Sequence, residues 1–243
     1  MGSPVQTPAS SPLYRQVRDI LVGRIARGEW RPAQLLPSEP KIALELGVSP
    51  GTVRKALDDM AAERLVDRRQ GVGTFVASTT DESRLFHFFK LVDAARNRIM
   101  PDSREIGREI GPASADERRI LRLAKGERTL RAERLRSMNG RDMMIETVVL
   151  PLRRFPALAD GGGELPTTLY DYYEANFGIT IRKVSEFVRA VAATARDAEA
   201  LGIAPGSPLL EIDRHAFTFD SEPVEWRLSR VDCRIAGYLN VME

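Results

Sequence analysis

Arg134 and Arg136 stand two residues apart in a stretch whose alternation places Leu130, Ala132, Arg134, Arg136 and Met138 on one face of a strand. That face is apolar apart from the two guanidiniums, and arginine is almost never buried without a partner. Two guanidiniums at i and i+2 repel each other in a closed core. An anion lodged between them is therefore the natural counterion, supplied from outside the polypeptide, and the guanidinium fork suits a carboxylate or a phosphate bidentately. The competing reading is a strand face left open to solvent at that end. A second set lies earlier: Thr52, Arg54 and Lys55 within one helical turn, then Arg68 and Arg69 beside Gly71 and Gly73. Such cations can reach a phosphate or a guanine edge, and glycines let a backbone approach a sugar-phosphate edge closely. Taken alone, the second group is also what a surface turn with solvated charges looks like.

Little else in the chain offers chemistry. His87 and His215 are the only histidines, and neither belongs to a nucleophile or metal-ligand spacing, so no catalytic residue, metal or cofactor is expected. Cys233 is the single cysteine. It can form no internal disulfide and is expected to be a small buried apolar residue rather than a redox sensor.

At about 150 residues per domain, 243 residues suggest two domains. A 43% hydrophobic, 29% charged composition can bury a real core, which excludes a disordered or fibrous chain. No run reaches the ~18 apolar residues a membrane span needs, and Met1 to Pro12 is Ser/Pro-rich without the apolar stretch of a secretory signal. The expected location is the cytoplasm, with no membrane partner. The net charge of +2 does not announce nucleic acid by itself. Up to Ser78 there are 11 Lys and Arg against 8 Asp and Glu, and beyond it 25 against 26, a mild tilt toward a basic first part.

The polar run Ala77 to Ser83 separates two stretches of different pattern. We divide the chain into a disordered tail (1–12), a first domain (13–77), a linker (78–84) and a second domain (85–243). In the first domain, Leu13, Val17, Ile20, Leu21 and Ile25 make a helical stripe closed by Gly28. A second helix opens at Ser38, with Pro40 in its first turn, and stops at Gly47. A third starts at once, capped by Ser49 with Pro50 at its first position, and turns Val53, Ala56, Leu57 and Met60 inward. Leu65 to Arg69 and Thr74 to Val76 then read as strands around the turn Gln70 to Gly73. Two helices joined by a short turn and followed by a basic hairpin make a winged helix-turn-helix. With the apolar positions inward, Gly51 and Lys55 point outward, flanked by Thr52 and Arg54.

After the linker, Glu127 to Met138 and Met143 to Leu150 read as strands joined through Asn139-Gly140, the strongest short hairpin signal. Ser114 opens a capped helix running to about Ala124, Thr168 opens another ending before Gly178, and Thr194 a third ending at Gly202. Val184 to Ala192, Leu209 to Phe219 and Val224 to Val231 are strand-like. The order implies an α+β domain on an antiparallel sheet, and no internal repeat is seen in either half. A plain two-residue turn at Asn139-Gly140 would pair Arg134 with Ile145. A three-residue loop with a bulge would pair Arg134 with Glu146 and put that carboxylate on the arginine face, and this is the arrangement we expect. The free amides at the Thr168 helix start offer a second place for an anion.

Tyr14 to Val76, through Leu36-Pro37-Ser38-Glu39, Val48-Ser49, Thr52-Val53-Arg54, Ala56-Leu57 and Gln70-Gly71-Val72-Gly73-Thr74-Phe75-Val76, resembles the DNA-binding domain of GntR-family transcriptional regulators. The resemblance implies a homodimer on palindromic double-stranded operator DNA. Its contacts would be Ser38, Lys41, Ser49, Gly51, Thr52, Arg54 and Lys55, with Arg68, Arg69, Gln70, Gly71 and Gly73 in the wing. Pro40 and Pro50 stand where many relatives carry contact residues, which implies either a shifted operator preference or weaker binding, with Lys41 and Lys55 as candidates to compensate. From about Leu85 onward, Arg134-Leu135-Arg136, Asn139-Gly140, Ile145-Glu146-Thr147, Leu150-Pro151, Phe155-Pro156, Leu169-Tyr170, Gly206-Ser207-Pro208-Leu209-Leu210 and Pro223-Val224-Glu225 resemble the UTRA effector-binding domain of the HutC-type branch, whose fold is similar to chorismate lyase. That implies anion contacts at Arg134, Arg136, Thr168 and Tyr170, with Glu146 and Glu225 accepting from ligand hydroxyl or amino groups. Val231 stands where the family pattern has Tyr.

The leading expectation is a ligand-responsive transcriptional regulator, a repressor, modulated by a small anionic metabolite that is a carboxylate or a phosphate ester. Two alternatives stay open: an enzyme using Glu146 or Glu225 as general acid or base on the bound anion, and a DNA-binding dimer with no effector.

Overall fold

Val17, Leu21 and Ile25, spaced by four, form the buried stripe of helix α1 (Leu13–Ala26). Leu13 and Ile20, expected in the same stripe, are exposed at 52% and 44%. Ile20 sits about 100° off the i, i+4, i+8 row, and Leu13 is the first residue of the helix. Helix α2 (Glu39–Leu46) ends on Gly47 in the left-handed region, and Ser38 at its N-cap makes no side-chain capping bond. Helix α3 (Pro50–Ala62) is capped as expected, with Ser49 Oγ accepting from Thr52 N at 3.1 Å. It buries Val53, Ala56, Leu57 and Met60. Strands β1 (Val66–Arg69) and β2 (Gly73–Val76) pair antiparallel as the wing. Gly73 has φ +141°, and a Cβ there would lie 2.5 Å from Leu35 Cδ1, so no other residue fits without moving Leu35.

These elements make up the first of two units, Met1–Ser78 and Thr79–Glu243. The computed structural model describes residues 11–63, 65–78, 89–160 and 162–241. Most of the tail and of the linker, and His87, lie outside them. No helix among the described residues is long and apolar enough to cross a membrane.

The second unit is built on a six-stranded antiparallel sheet of β4 (Asp102–Pro112), β5 (Arg128–Met138), β6 (Arg141–Pro151), β7 (Lys183–Ala192), β8 (Pro208–Phe217) and β9 (Pro223–Asp232). The order across it is β4-β5-β6-β9-β8-β7. Helices α4 (Ala115–Leu121) and α6 (Ala195–Leu201) cover one face, through Leu121 on Val149 and Leu201 beside Leu135, Ile145 and Leu209. Helix α5 (Leu169–Phe177) covers the other, where Leu169, Tyr170, Tyr173 and Phe155 pack on Leu130, Ala132, Val148, Leu150, Ala216 and Val224. A two-stranded ribbon, β3 (Leu91–Val92) with β10 (Gly237–Tyr238), stands apart from the main sheet. Strand β4 escapes the sequence pattern. Its one wholly buried residue is Gly111, and its alternating side chains are mostly charged, as on a sheet edge.

The expectation of no internal repeat is overturned. β4-α4-β5-β6 and β7-α6-β8-β9 have the same order, and they meet at the central β6-β9 pair. Ser114 and Thr194 each close a capping box, with Glu117 and Asp197 at the third helical position. Gly126 and Gly206, both at positive φ, precede β5 and β8. At the same separation of 80 residues lie Leu121 and Leu201, and Arg134 and Arg214. Ala113 and Ala193, Ala115 and Ala195, Ala124 and Ala204, and Leu130 and Leu210 coincide at the same separation, so between Ala113 and Arg134 the repeat is carried by residue identity as well as by backbone and caps.

Each capping acid also anchors the sheet. Glu117 accepts from Ser114 N at 2.7 Å and from Arg131 Nε and Nη2 at 2.6 Å each, and Asp197 takes Arg230 Nη1 at 3.0 Å. Burial pushes the Glu117 carboxyl up, but Arg131 and the Ser114 amide hold it below the usual range. Glu117→Ala is therefore expected to cost about 2 kcal/mol at pH 7 in urea unfolding, from a lost capping box and charged hydrogen bonds. Because the folded carboxyl is the stronger acid, the stabilisation is present above about pH 4.3 and the difference from wild type shrinks as pH falls below it.

Candidate functional site

The β5-β6 hairpin brings the second unit's charged residues together. Met138 pairs with Arg141 across a two-residue Asn139-Gly140 turn, and the register then slips by one between Arg136 and Ser137. Past that irregularity Arg134 faces Glu146. The expected pairing is thus present, but by a different device: the turn stays tight and the bulge sits inside the strands, at Met143. Arg134 and Arg136 are 0% exposed and Glu146 is 1% exposed.

The expectation that the polypeptide supplies no negative charge here is overturned. Glu146 Oε1 lies 3.3 Å from Arg134 Nη1 and 3.5 Å from Arg136 Nη1, and its Oε2 lies 3.8 Å from Arg227 Nη1. One carboxylate thus serves three guanidiniums. Glu225 provides the second: its Oε1 accepts from Tyr170 OH at 3.3 Å and Arg227 Nε at 3.0 Å, and its Oε2 from Tyr173 OH at 2.6 Å and Arg227 Nη2 at 2.7 Å. With four protein donors in place, Glu225 has no unused oxygen for the ligand group expected there. Within these five groups three guanidiniums face two carboxylates; Asp102 acts on Arg136 and Arg214 on Glu146 from the edges of the set.

Part of this cluster is unsatisfied. Arg134 Nη2 donates to Ser103 Oγ and to Pro166 O, the latter at 2.6 Å, and Arg136 donates to Thr167 O and Pro101 O, each at 3.1 Å. Arg134 Nε and Nη1, Arg136 Nε and Glu146 Oε1 are buried without a hydrogen-bond partner. Burial lowers both arginines, Arg136 to about 10, which leaves them charged at neutral pH. Burial pushes Glu146 up, but Arg227, Arg136 and Arg134 outweigh it and hold its carboxyl below the ordinary range. Burial also raises Tyr170, to about 12, and raises Tyr173 well above its ordinary value, so both phenols keep their donor protons.

Thr168 is the N-cap residue of α5, and its side chain makes no capping bond. The preceding carbonyls of Pro166 and Thr167 are the ones that accept from the arginines, so the start of α5 does adjoin the pair. Arg227 and Tyr173 were missed in the sequence, although each had a signal. Arg227 is two residues from Glu225 on one strand and so shares its face, and Tyr173 is one helical turn from Tyr170. Ser103 had none, because β4 itself was not recognised.

In the first unit the expected contact residues fall on α2, α3 and the wing. Ser38, Arg68, Arg69, Gln70, Gly71 and Gly73 line a groove of about 720 Å³ between the start of α2 and the hairpin. Gly51, Arg54 and Lys55 are exposed on α3 and Lys41 on α2. Ser49 and Thr52 are hydrogen-bonded to each other through their hydroxyls, at 2.9 Å. Arg54 and Arg68 are not free cations: Glu39 takes Arg54 Nε at 2.9 Å and also pairs with Arg68, which pairs in addition with Asp58. Glu39, which is not among the expected contacts, thus ties the third helix to the wing. Arg69 lies over the Phe75 ring and Lys55 over the Tyr14 ring, each at 4.4 Å.

Among the described residues no three His, Cys, Asp or Glu side chains stand together as a metal site. His215 is half-buried, with Nε2 3.3 Å from Asp213. Cys233 is exposed, contrary to expectation. Burial of its thiol and the nearby Asp232 carboxylate raise its pKa and disfavour the reactive thiolate.

Residues 97–232 match the family profile described as the UTRA domain, and residues 13–76 the profile described as bacterial regulatory proteins, gntR family. The chain is similar to the HTH-type transcriptional repressor NagR of Bacillus subtilis (strain 168), 30% identical over 207 residues that cover 85% of this chain and 84% of that protein. It is also similar to the mannosyl-D-glycerate transport/metabolism system repressor MngR of Escherichia coli (strain K12), at 26% identity with 88% and 89% covered. Among solved structures, the ligand-binding domain of a GntR-family transcriptional regulator from Bordetella bronchiseptica is similar at 29% identity and a TM-score of 0.58, covering 64% of this chain and 98% of that one.

The buried cluster makes its own demand on stability. Glu146→Gln leaves the guanidiniums of Arg134, Arg136 and Arg227 around a neutral amide, and removing one partner of a buried ion cluster typically costs about 3–5 kcal/mol. Urea unfolding at pH 7 is expected to show a loss of that size. Glu146→Gln as stable as wild type would mean that the carboxylate carries no such charge.

Proposed function

The chain belongs to the GntR family of bacterial regulatory proteins, in the branch that carries a UTRA domain, and from that premise we propose a transcriptional repressor that binds palindromic operator DNA as a homodimer and releases it when a small anion enters the site around Arg134 and Arg136. A transcriptional regulator of this type has two tasks, and the two units divide them. α3 offers Thr52, Arg54 and Lys55 to the major groove from its first turns, and the wing offers Arg68, Arg69 and the backbone of Gly71 to Gly73 to the sugar-phosphate edge. Phosphates or base edges replace Glu39 and Asp58 as partners of Arg54 and Arg68 on docking.

The observation that carries the sensing half is the set of buried, unpartnered donors on Arg134 and Arg136, in a cluster where three guanidiniums face two carboxylates. A carboxylate or a phosphate ester supplies acceptors for those donors, while Glu146 Oε1 remains able to accept from a hydroxyl or ammonium of the same ligand. Binding favours whichever dimer geometry holds the anion best. If that geometry mismatches the two half-sites, operator affinity falls by linkage. The presence of Glu146 beside both arginines favours a second reading, in which the chain is its own counterion and the unit serves only to dimerise.

Operator binding followed by fluorescence anisotropy at several salt concentrations tests the DNA half. Arg54→Ala is expected to weaken binding by about 1–3 kcal/mol, and Arg68→Ala to reduce the salt slope by about 1. For the sensing half, metabolite carboxylates and phosphate esters are titrated into the operator complex. Release by one of them, lost in Arg134→Ala, supports the effector, whereas a complex indifferent to every anion selects the second reading.

A further inference from the structure

Arg134 has guanidinium atoms without a hydrogen-bond partner, and of the two carboxylates directly across from it Glu146 is shared with other arginines while Glu105 is engaged elsewhere; the two halves of the sheet supply the comparison. On each edge strand a glutamate stands opposite an arginine: Glu105 of β4 faces Arg134, and Glu186 of β7 faces Arg214. Residues paired in this way have Cβ atoms about 5 Å apart, within reach of a Glu-Arg contact. In the second half the contact forms, with Arg214 Nε donating to Glu186 at 2.7 Å. In the first half Glu105 turns to Arg108, accepting from its Nε at 2.6 Å and its Nη2 at 2.8 Å.

The difference lies in one residue of backbone. Each edge strand has an arginine three positions after its glutamate, Arg108 in β4 and Arg189 in β7. In the regular β7, positions i and i+3 face opposite sides, and Arg189 Nε donates to Glu211 at 2.7 Å. β4 has an irregularity between Glu105 and Gly107 that adds Ile106 to the strand, so Arg108 stands opposite Ala132, on the side of Arg134. There it captures Glu105. It also donates to Gly162 O at 2.6 Å and Gly163 O at 3.0 Å, while Glu105 accepts from Leu165 N at 3.3 Å. The next two carbonyls in that segment, of Pro166 and Thr167, are the acceptors for Arg134 and Arg136.

We propose that Arg108 is a positioning residue for the anion site: by holding Glu105 away from Arg134 it leaves that guanidinium with only a share of Glu146 and with donors able to bind a carboxylate or phosphate. The proposal rests on the reading of Arg134 as an anion ligand. Without Arg108, Glu105 becomes a nearly buried carboxylate whose directly opposite neighbour is Arg134, and it takes the place of the anion as Glu186 does on Arg214.

The test has one arm that needs no ligand and one that uses inorganic phosphate as probe, both on the full chain. A crystal structure of Arg108→Gln without added anion is expected to show the Glu105 carboxylate within hydrogen-bond distance of the Arg134 guanidinium. Glu105 left in its present place overturns the proposal. Phosphate affinity, by calorimetry at constant ionic strength, is expected to fall at least about tenfold in Arg108→Gln and to return in the double variant Arg108→Gln/Glu105→Gln, where no carboxylate competes. A purely structural role predicts no rescue, so a double variant that is folded by circular dichroism yet still weak also overturns it. A wild type that binds no phosphate overturns the proposal even where Glu105 moves, while the effector reading is decided separately by the titration of the operator complex.

Discussion

The organising constraint of the second unit is a buried cluster of charges only part of which is satisfied by hydrogen bonds. Arg134, Arg136 and Arg227 bring three guanidiniums beneath α5, and Glu146 and Glu225 answer with two carboxylates. Burying ions is costly, and a buried cluster persists only where good geometry returns that cost. Arg227 and Glu225 achieve it, through two hydrogen bonds between them and two phenols closing the carboxylate. Arg134, Arg136 and Glu146 do not, and their unpartnered atoms mark where the fold is left incomplete.

The same sheet shows how little backbone is needed to change what a side chain does. One irregularity, near Met143, brings Glu146 opposite Arg134, and another, at Ile106, brings Arg108 onto the arginine face. Neither alters the pairing order, and each moves every following side chain to the other face. On the opposite face, where α4 and α6 pack, Arg131 with Glu117 and Arg230 with Asp197 and Glu211 are closed pairs. The duplicated halves therefore share a frame but spend their charges differently: beneath α5, Arg214 is closed by Glu186 in one half, while Arg134 in the other keeps buried atoms without a hydrogen-bond partner.

The first unit follows a similar economy. Glu39 sits at the start of α2, where the helix dipole favours a carboxylate, and bridges Arg54 on α3 to Arg68 in the wing. Two groups from separate elements are thereby held in one place before any nucleic acid arrives. Exposed pairs of this kind contribute little to stability.

The local elements were legible because their signals are local. Ser49-Pro50 before a 3, 4, 7 apolar row, Asn139-Gly140 between alternating runs, and Ser114 or Thr194 three residues ahead of an acid each specify backbone within a few residues. β4 was not legible, since an edge strand with charged residues on both sides carries no apolar period, whereas the duplication did leave a trace, in identical residues 80 apart around the two capped helices, confined to one short segment of each half. The amino-acid order alone determined the helix-turn-helix with its wing, the α+β class and the placement of Arg134 and Arg136 on one face, because periodicity and capping depend on neighbours in sequence. Only the tertiary structure decided which charged groups surround those arginines, since Glu146, Glu105 and Arg227 are placed about them by strand register and bulges, and register is set by contacts between segments distant in the chain.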